Sequence, residues 1–267
     1  MKLIPLTFIL ALFFTSCKDK TTETVASPVN YSETELDITT SIYPESISKV
    51  FEAHGGLDTW KKMRTLKFTM SKPSGDEVTL TDLYERYSLI TMPEHTIGFD
   101  GEKVWLQNKD TTNYKGNAKF YHNLMFYFYA MPFVLADDGI VYEESEPLNF
   151  DGTSYPGIKI SYESGVGESP EDEYIIYYHP VTHKMVWLGY TVTYFTNEKS
   201  KEFHFINYSD WQTVNRLQLP KTLSWYNYEN NKPTTKRNEV EFVDVLLSEE
   251  KPDAKLFQKP DSAQIVE

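Results

Sequence analysis

The sequence has almost no cysteine: Cys17 is the only one among 267 residues. A chain with one cysteine cannot form an internal disulfide, and it offers no thiolate set for a metal ion. If Cys17 is consumed by a modification, the folded part also lacks a thiol nucleophile. Its stability must therefore come from packing and hydrogen bonding.

The chain is also short of positive charge. It has 26 Lys and Arg against 39 Asp and Glu, which gives a formal net charge of −13. Because this charge repels a phosphate backbone, we do not expect nucleic acid as a partner. The composition, 24% charged and 40% hydrophobic, is that of a globular protein.

Long apolar runs are missing as well. The run at residues 3–14 has about 12 residues, whereas roughly 20 are needed to cross a hydrocarbon core. Lys2 precedes this run, and the small residues Thr15 and Ser16 lead to Cys17, an order typical of an export signal. The segment resembles a bacterial lipoprotein signal, which implies cleavage after Ser16 and acylation of Cys17. Phe14 stands where such signals usually carry a smaller residue, so an ordinary secretory signal is the alternative.

The residues after Cys17 predict a tether followed by one domain. Residues 18–35 are mostly Thr, Ser, Glu, Asn and Lys, a composition typical of a flexible linker. We therefore divide the chain into a signal peptide (1–16), a lipidated N-terminus with its tether (17–43) and a single domain (44–267). A lipid at Cys17 makes a membrane the first predicted partner. Lys18, which follows Cys17, favours the outer membrane, with the domain facing either the periplasm or the cell surface.

Catalytic motifs are absent too. The sequence contains no G-x-S-x-G, no phosphate-binding glycine loop and no dinucleotide fingerprint. We therefore expect a protein that is not an enzyme and binds no cofactor. Paired carboxylates meet only in space, however, so a hydrolase stays open as an alternative.

Two groups of residues invite a metal-site interpretation. His179 and His183 are four apart, but Pro180 between them predicts a turn, and no third ligand follows at a set spacing. The acidic residues within 168–173 lack the alternating pattern of a calcium-binding loop. We predict a hairpin turn and a solvated loop at these places, and no metal site.

Aromatic residues are abundant, at 15% of the chain with 19 Tyr and 16 Phe. Most of the chain after the tether alternates between apolar and polar residues, as strands do. Turn signals such as Asp100-Gly101 separate these segments at the spacing of an antiparallel meander. The sequence thus predicts a mainly β (α+β) fold with a single large curved antiparallel sheet, a half-barrel of about eleven strands: 66–72, 78–90, 95–99, 104–107, 141–144, 157–163, 173–179, 184–195, 201–210, 218–229 and 238–247.

Helical periodicity is confined to residues 44–64 and 117–136. In the first segment Pro44 marks a helix start, and Gly55-Gly56 separates the helix from a second short one. In the second segment apolar side chains cover most of the circumference, and Pro132 should end or kink the helix. A helix that is apolar on nearly all sides should be buried, so we expect helices to lid the concave face of the sheet and leave an apolar cavity.

Three sequence motifs together resemble the lipoprotein-localisation superfamily, which includes the carrier LolA and the receptor LolB. They read ISKVFEAHGG at residues 47–56, FDGEKVW at 99–105 and HPVTHK at 179–184. Trp60 and the strand that starts near Leu66 fit the same pattern. The resemblance extends over most of the chain after the tether. It implies an open half-barrel whose helices cover a hydrophobic cavity that accepts acyl chains.

We therefore expect a lipid-anchored monomer that binds a hydrophobic ligand, either a lipid or the acyl chains of a lipoprotein, without covalent chemistry. Each buried methylene would contribute about 0.8 kcal/mol to such binding. Two other functions stay open: a structural or interaction module of an envelope complex, and a hydrolase that acts on an envelope polymer. The residues predicted to line the cavity are large and apolar: Phe68, Met70, Trp105, Phe120, Leu124, Phe128, Met131, Trp187, Phe205 and Trp225.

Overall fold

The computed structural model describes residues 42–162, 171–196 and 198–266. Cys17, the signal peptide and nearly all of the predicted tether lie outside the described residues. Among the described residues, no helix combines the length and apolar character needed to cross a membrane.

Among the described residues, thirteen strands form one antiparallel sheet, which confirms the predicted fold class. The first meander comprises β1 to β5, at Thr65–Met70, Glu77–Asp82, Ser88–Thr91, His95–Phe99 and Val104–Asn108. The second comprises β6 to β12, at Ile140–Phe150, Thr153–Tyr162, Tyr174–Tyr178, Met185–Tyr190, His204–Val214, Leu217–Glu229 and Lys232–Ser248. Strand β1 pairs with β12 and joins the meanders, while the short β13 (Gln264–Ile265) pairs with β5. Within the described residues, the sheet is open, with β13 and β6 at its two edges.

The predicted strand at 78–90 is wrong in one respect, because the structure divides it into β2 and β3. Asp82 ends β2 by accepting hydrogen bonds at Oδ1 from the backbone N–H groups of Tyr84 (2.9 Å) and Glu85 (3.1 Å). Arg86 then adopts a positive φ of 59°. Neither Gly nor Pro marks this turn, so the apolar–polar alternation runs through it without a visible break. This split and the unpredicted β13 raise the count from about eleven to thirteen.

Short helices lie where the sequence predicts them. Helices α1 (Glu45–Ala53) and α2 (Leu57–Trp60) are separated by Gly55-Gly56, as expected. The second segment is not one helix: it forms α3 (Ala118–Tyr121), α4 (Leu124–Tyr129) and a 3₁₀ turn at Phe133–Ala136.

We call residues 117–138 the lid segment. It leaves β5, next to one edge of the sheet, and leads into β6, the opposite edge strand. The segment therefore has to cross a face of the sheet, which we call the inner face. Its aromatic residues pack there in one large apolar cluster with strand residues such as Phe68 and Ile206.

Several polar contacts hold the lid segment to the sheet. The Tyr121 hydroxyl donates to Glu77 Oε1 (2.7 Å), and the buried Tyr208 hydroxyl donates to the Phe128 carbonyl (2.7 Å). At the far end, Asp137 of the lid segment forms an ion pair with Arg86. Because these contacts lie along the whole segment, its position over the sheet is fixed from both ends.

The outer face of the sheet carries its own aromatic residues. Successive strand residues point to opposite faces, so Ile206 lies in the inner cluster while Phe205 lies in an outer one with Trp187. Trp105 also lies outside the inner clusters. Its indole N–H donates to the Phe257 carbonyl (2.8 Å), and its ring covers Gly98, where a Cβ atom would stand 2.1 Å from the indole. Chain segments thus cover both faces.

His54 connects the α1–α2 hairpin to the sheet and is completely buried. Its Nδ1–H donates to the Val50 carbonyl (2.7 Å), and its Nε2 accepts from the backbone N–H of Met185 in β9 (3.4 Å). The ring also lies edge-on to Trp211, with 4.5 Å between centroids. Burial lowers the pKa of His54 to about 4, so this imidazole stays neutral in the folded protein.

Candidate ligand-binding cavity

A cavity of about 440 Å³ lies between the lid segment and the inner face of the sheet. This volume is within the range of roughly 300 to 1,000 Å³ that is typical of small-molecule sites. Its described lining is dominated by aromatic side chains, which come from the lid segment, from three strands and from the chain after β9: Phe99, Phe120, Phe126, Tyr127, Phe128, Tyr162, Tyr174 and Tyr194.

The helical spacing in the lid segment places one row of side chains on the cavity. Phe120, Leu124 and Phe128 are four residues apart, so they share a helix face. All three line the cavity, although the helix is interrupted between Tyr121 and Leu124. The Asn117 side chain starts α3 by accepting from the Phe120 N–H (2.9 Å).

Aromatic rings form one wall beside α3. The ring of Phe120 lies 5.0 Å from Tyr194 and 5.2 Å from Phe195, measured between centroids. Phe195 is 66% exposed, whereas Phe120 and Tyr194 are partly buried. This aromatic group therefore extends from the cavity lining to the protein surface.

One polar part of the lining comes from β2, β3 and the turn between them. Thr81 and Ser88 are direct cross-strand partners, so their side chains lie on the same face. Both residues line the cavity and are only 1% exposed. Their hydroxyl oxygens have no hydrogen-bond partner among the described residues.

Arg86, in the turn between β2 and β3, adds a guanidinium group to the same part of the lining. Its Nη2 donates to both carboxylate oxygens of Asp137 at 2.7 Å, and its guanidinium lies 5.2 Å from the centre of the Phe126 ring. Its Nη1 is buried and has no partner within the described parts of the chain. Burial raises the pKa of Asp137 despite the neighbouring arginine.

A second carboxylate, Asp172, lines the cavity from the segment before β8. It is buried, and its Oδ1 accepts a hydrogen bond from the Thr193 N–H (2.7 Å). Burial raises the pKa of Asp172, and burial also raises the pKa of the Tyr162 and Tyr174 hydroxyls. The tyrosines therefore contribute uncharged phenol groups to the lining at neutral pH.

The structure places the predicted lining residues in three groups. Phe120, Leu124 and Phe128 line the cavity described above. The large apolar cluster on the inner face contains Phe68, Met70, Met131 and Trp225, which pack in the core rather than along the cavity. The contacts of all seven with a ligand stay a prediction.

Trp105, Trp187 and Phe205 differ from the prediction, because their side chains lie on the outer face and do not line this cavity. The physical reason is strand parity: a shift of one residue moves a side chain to the opposite face. The size of these side chains does not indicate which face of the sheet they occupy, because large aromatic residues are buried on both faces.

The polar lining residues were missed at the sequence level. Thr81, Arg86 and Ser88 fall inside the segment that we predicted as one continuous strand, where an arginine indicates nothing beyond an exposed position. Asp137 is 51 residues away from Arg86, and no local pattern connects the two. Only the turn between β2 and β3 brings them together.

The histidine pair lies in a hairpin turn, as predicted. His179 Nδ1 accepts from the backbone N–H groups of Val181 and Thr182, both at 3.2 Å, and His183 has a positive φ of 56°. Across residues 42–162, 171–196 and 198–266, no three His, Asp or Glu side chains converge as a metal site would require.

Comparison of folds finds similar solved structures at low sequence identity. A LolA superfamily protein from Nitrosomonas europaea is 9% identical, with 73% of this chain and 88% of that chain covered and a TM-score of 0.44. A DUF1329 family protein from Desulfovibrio piger is 9% identical, with coverages of 80% and 100% and a TM-score of 0.46. The lipoprotein LppX from Mycobacterium tuberculosis is 11% identical, with coverages of 54% and 85% and a TM-score of 0.24.

Sequence comparison gives the family itself. No curated protein matches the chain. A family model described as a family of unknown function, DUF6503, matches residues 99–242, more than half of the chain, and this region includes the whole lid segment and most of the cavity lining. The chain therefore belongs to the DUF6503 family.

Proposed function

We propose that the domain binds a hydrophobic ligand without covalent chemistry, and that the ligand is a lipid or the acyl chain of a lipoprotein. The observation that carries this proposal is the aromatic cavity of about 440 Å³ beneath the lid segment. Three lid residues, Phe120, Leu124 and Phe128, offer it a continuous apolar row. An acyl chain suits such a lining because it needs apolar contact along its whole length.

The energetics favour an acyl chain over a compact polar metabolite. Each methylene removed from water contributes about 0.8 kcal/mol, so affinity should increase with chain length until the cavity is filled. A small polar molecule would need many hydrogen bonds to offset its desolvation. The described lining also carries polar side chains, and these can bind a head group beside the apolar chain.

Competition between a fluorophore and alcohols of increasing length tests this proposal. The full chain carrying Cys17→Ala would be titrated with N-phenyl-1-naphthylamine, which is then displaced by primary alcohols of increasing length. We expect affinity to rise roughly fourfold per added methylene and then to level off. The control is the same chain unfolded in guanidinium chloride. If the folded chain binds no fluorophore, or if affinity is independent of alcohol length, the proposal is wrong.

We further propose that an acylated Cys17 holds the domain at the outer membrane. The short apolar run before Cys17 and the small residues Thr15 and Ser16 support this assignment. Two acyl groups on one residue would anchor the chain stably, whereas a single chain gives only marginal membrane binding. The expected mass of the N-terminal peptide is that of a chain beginning at acylated Cys17. A mature chain with a free Cys17 thiol would contradict it.

A further inference from the structure

The polar part of the cavity lining contains groups that the protein itself leaves without partners. Thr81 Oγ1, Ser88 Oγ and Arg86 Nη1 are buried, and none of them is hydrogen-bonded among the described residues. An unpaired buried polar group is costly, and native structures rarely keep three of them at one place without a reason. All three belong to residues that line the cavity, and a small shift of these side chains toward the cavity lets a bound molecule supply the missing partners.

The charges around the cavity restrict what that molecule can be. Arg86 is the only Lys or Arg among the described lining residues, and its charge is already balanced by Asp137. Two more carboxylates, Asp138 and Asp172, line the same cavity. Because Coulomb interactions are strong in a poorly solvated site, an anionic head would be repelled there.

We propose that Thr81, Ser88 and Arg86 bind the uncharged head of an amphiphile, a head that carries an ester carbonyl and hydroxyl groups, as in a monoacylglycerol. This inference rests on the proposed function, since it assigns the head of a ligand whose chain occupies the aromatic cavity. Arg86 Nη1 donates to the carbonyl oxygen, and the two hydroxyls donate to or accept from the hydroxyl groups of the head. Asp137 keeps the guanidinium oriented through its two contacts at 2.7 Å.

A comparison of four probes on the full chain carrying Cys17→Ala tests this inference. The probes are 1-monodecanoylglycerol, decanoate, decyltrimethylammonium and the uncharged fluorophore N-phenyl-1-naphthylamine. We expect the glycerol ester to bind roughly tenfold more tightly than either charged probe at pH 8. Equal affinity for the ester and decanoate would overturn the inference. Tighter binding of the ammonium probe would overturn it as well, because the carboxylates would then select a cation.

A hydroxyl-free variant separates head recognition from the cavity. The double variant Thr81→Val with Ser88→Ala should bind the glycerol ester roughly tenfold more weakly and the fluorophore unchanged. The matched control Thr81→Ser keeps the hydroxyl and should bind the ester like the parent chain. The double variant should unfold at no lower denaturant concentration, because the deleted hydroxyls have no described partner.

The outcomes distinguish this inference from the proposed function. If the fluorophore binds but the double variant retains full affinity for the ester, the two hydroxyls do not bind the head group. The inference is then wrong, while ligand binding in the cavity is not contradicted. If neither fluorophore nor ester binds the parent chain, the proposed function itself fails.

Discussion

Replacing Leu124 by tryptophan is expected to weaken the binding of a decyl or longer chain by more than tenfold. Leu124 lines the cavity from α4 and is only partly buried, so the larger indole can be accommodated by entering the cavity. Displacing even two methylenes of a ligand, at about 0.8 kcal/mol each, corresponds to more than a tenfold loss of affinity. The measurement is the displacement titration with primary alcohols.

A matched variant controls for the chemistry of the substitution. Leu246 in β12 is 51% exposed, so Leu246→Trp adds the same indole away from the described cavity lining. This variant should bind like the parent chain. If Leu124→Trp also binds like the parent chain while it remains folded, the ligand does not occupy the space beneath α4.

The second large effect is a loss of stability at acidic pH that depends on His54. The folded-state pKa of His54 is about 4, below the value of about 6.5 for an exposed histidine, so the unfolded chain binds one more proton than the folded chain at a pH between these two values. Burial of the neutral His54 ring therefore contributes fully to the free energy of unfolding above pH 6.5, and this contribution is lost as the pH falls toward 4. From pH 8 to pH 5 this one group should lower the free energy of unfolding by about 2 kcal/mol.

Denaturant unfolding at pH 5 and pH 8 measures this effect. His54→Gln should lower stability at both values but remove most of the difference between them. Burial raises the pKa of Asp137 and Asp172, which acts in the opposite direction, so the comparison between variants isolates His54. His183→Asn, in the hairpin turn between β8 and β9, is the matched control. An unchanged pH dependence in His54→Gln would show that His54 is not the titrating group.

Local periodicity was enough to predict the main elements of this fold. Alternating residues marked most strands, and Gly55-Gly56 separated α1 from α2 as expected. The i, i+4 spacing of Phe120, Leu124 and Phe128 correctly placed three residues on one side of the lid segment. These features depend on neighbours close in sequence, and they are therefore readable without a structure.

The cavity lining was only partly predictable because it depends on strand parity and on a turn with no sequence marker. Trp187 lies against Phe150 and Tyr226 on the outer face, so a large buried ring did not identify the inner one. The polar lining depends on Arg86, in the turn between β2 and β3, which pairs with Asp137 at the end of the lid segment, 51 residues away in the sequence. Side chains that meet only in three dimensions leave no periodic signal.

Photo-crosslinking with an acyl chain that carries a diazirine group tests the central claim most directly. The full chain with Cys17→Ala would be irradiated with a decanoylglycerol probe, and the labelled peptides would be mapped by mass spectrometry. The proposed binding mode predicts labels on the lid segment, at Phe120, Leu124 or Phe128, and their loss when unlabelled ester is added in excess. Labels confined to outer-face residues such as Trp187 and Phe205, or labels that excess ester leaves in place, would contradict ligand binding in the cavity.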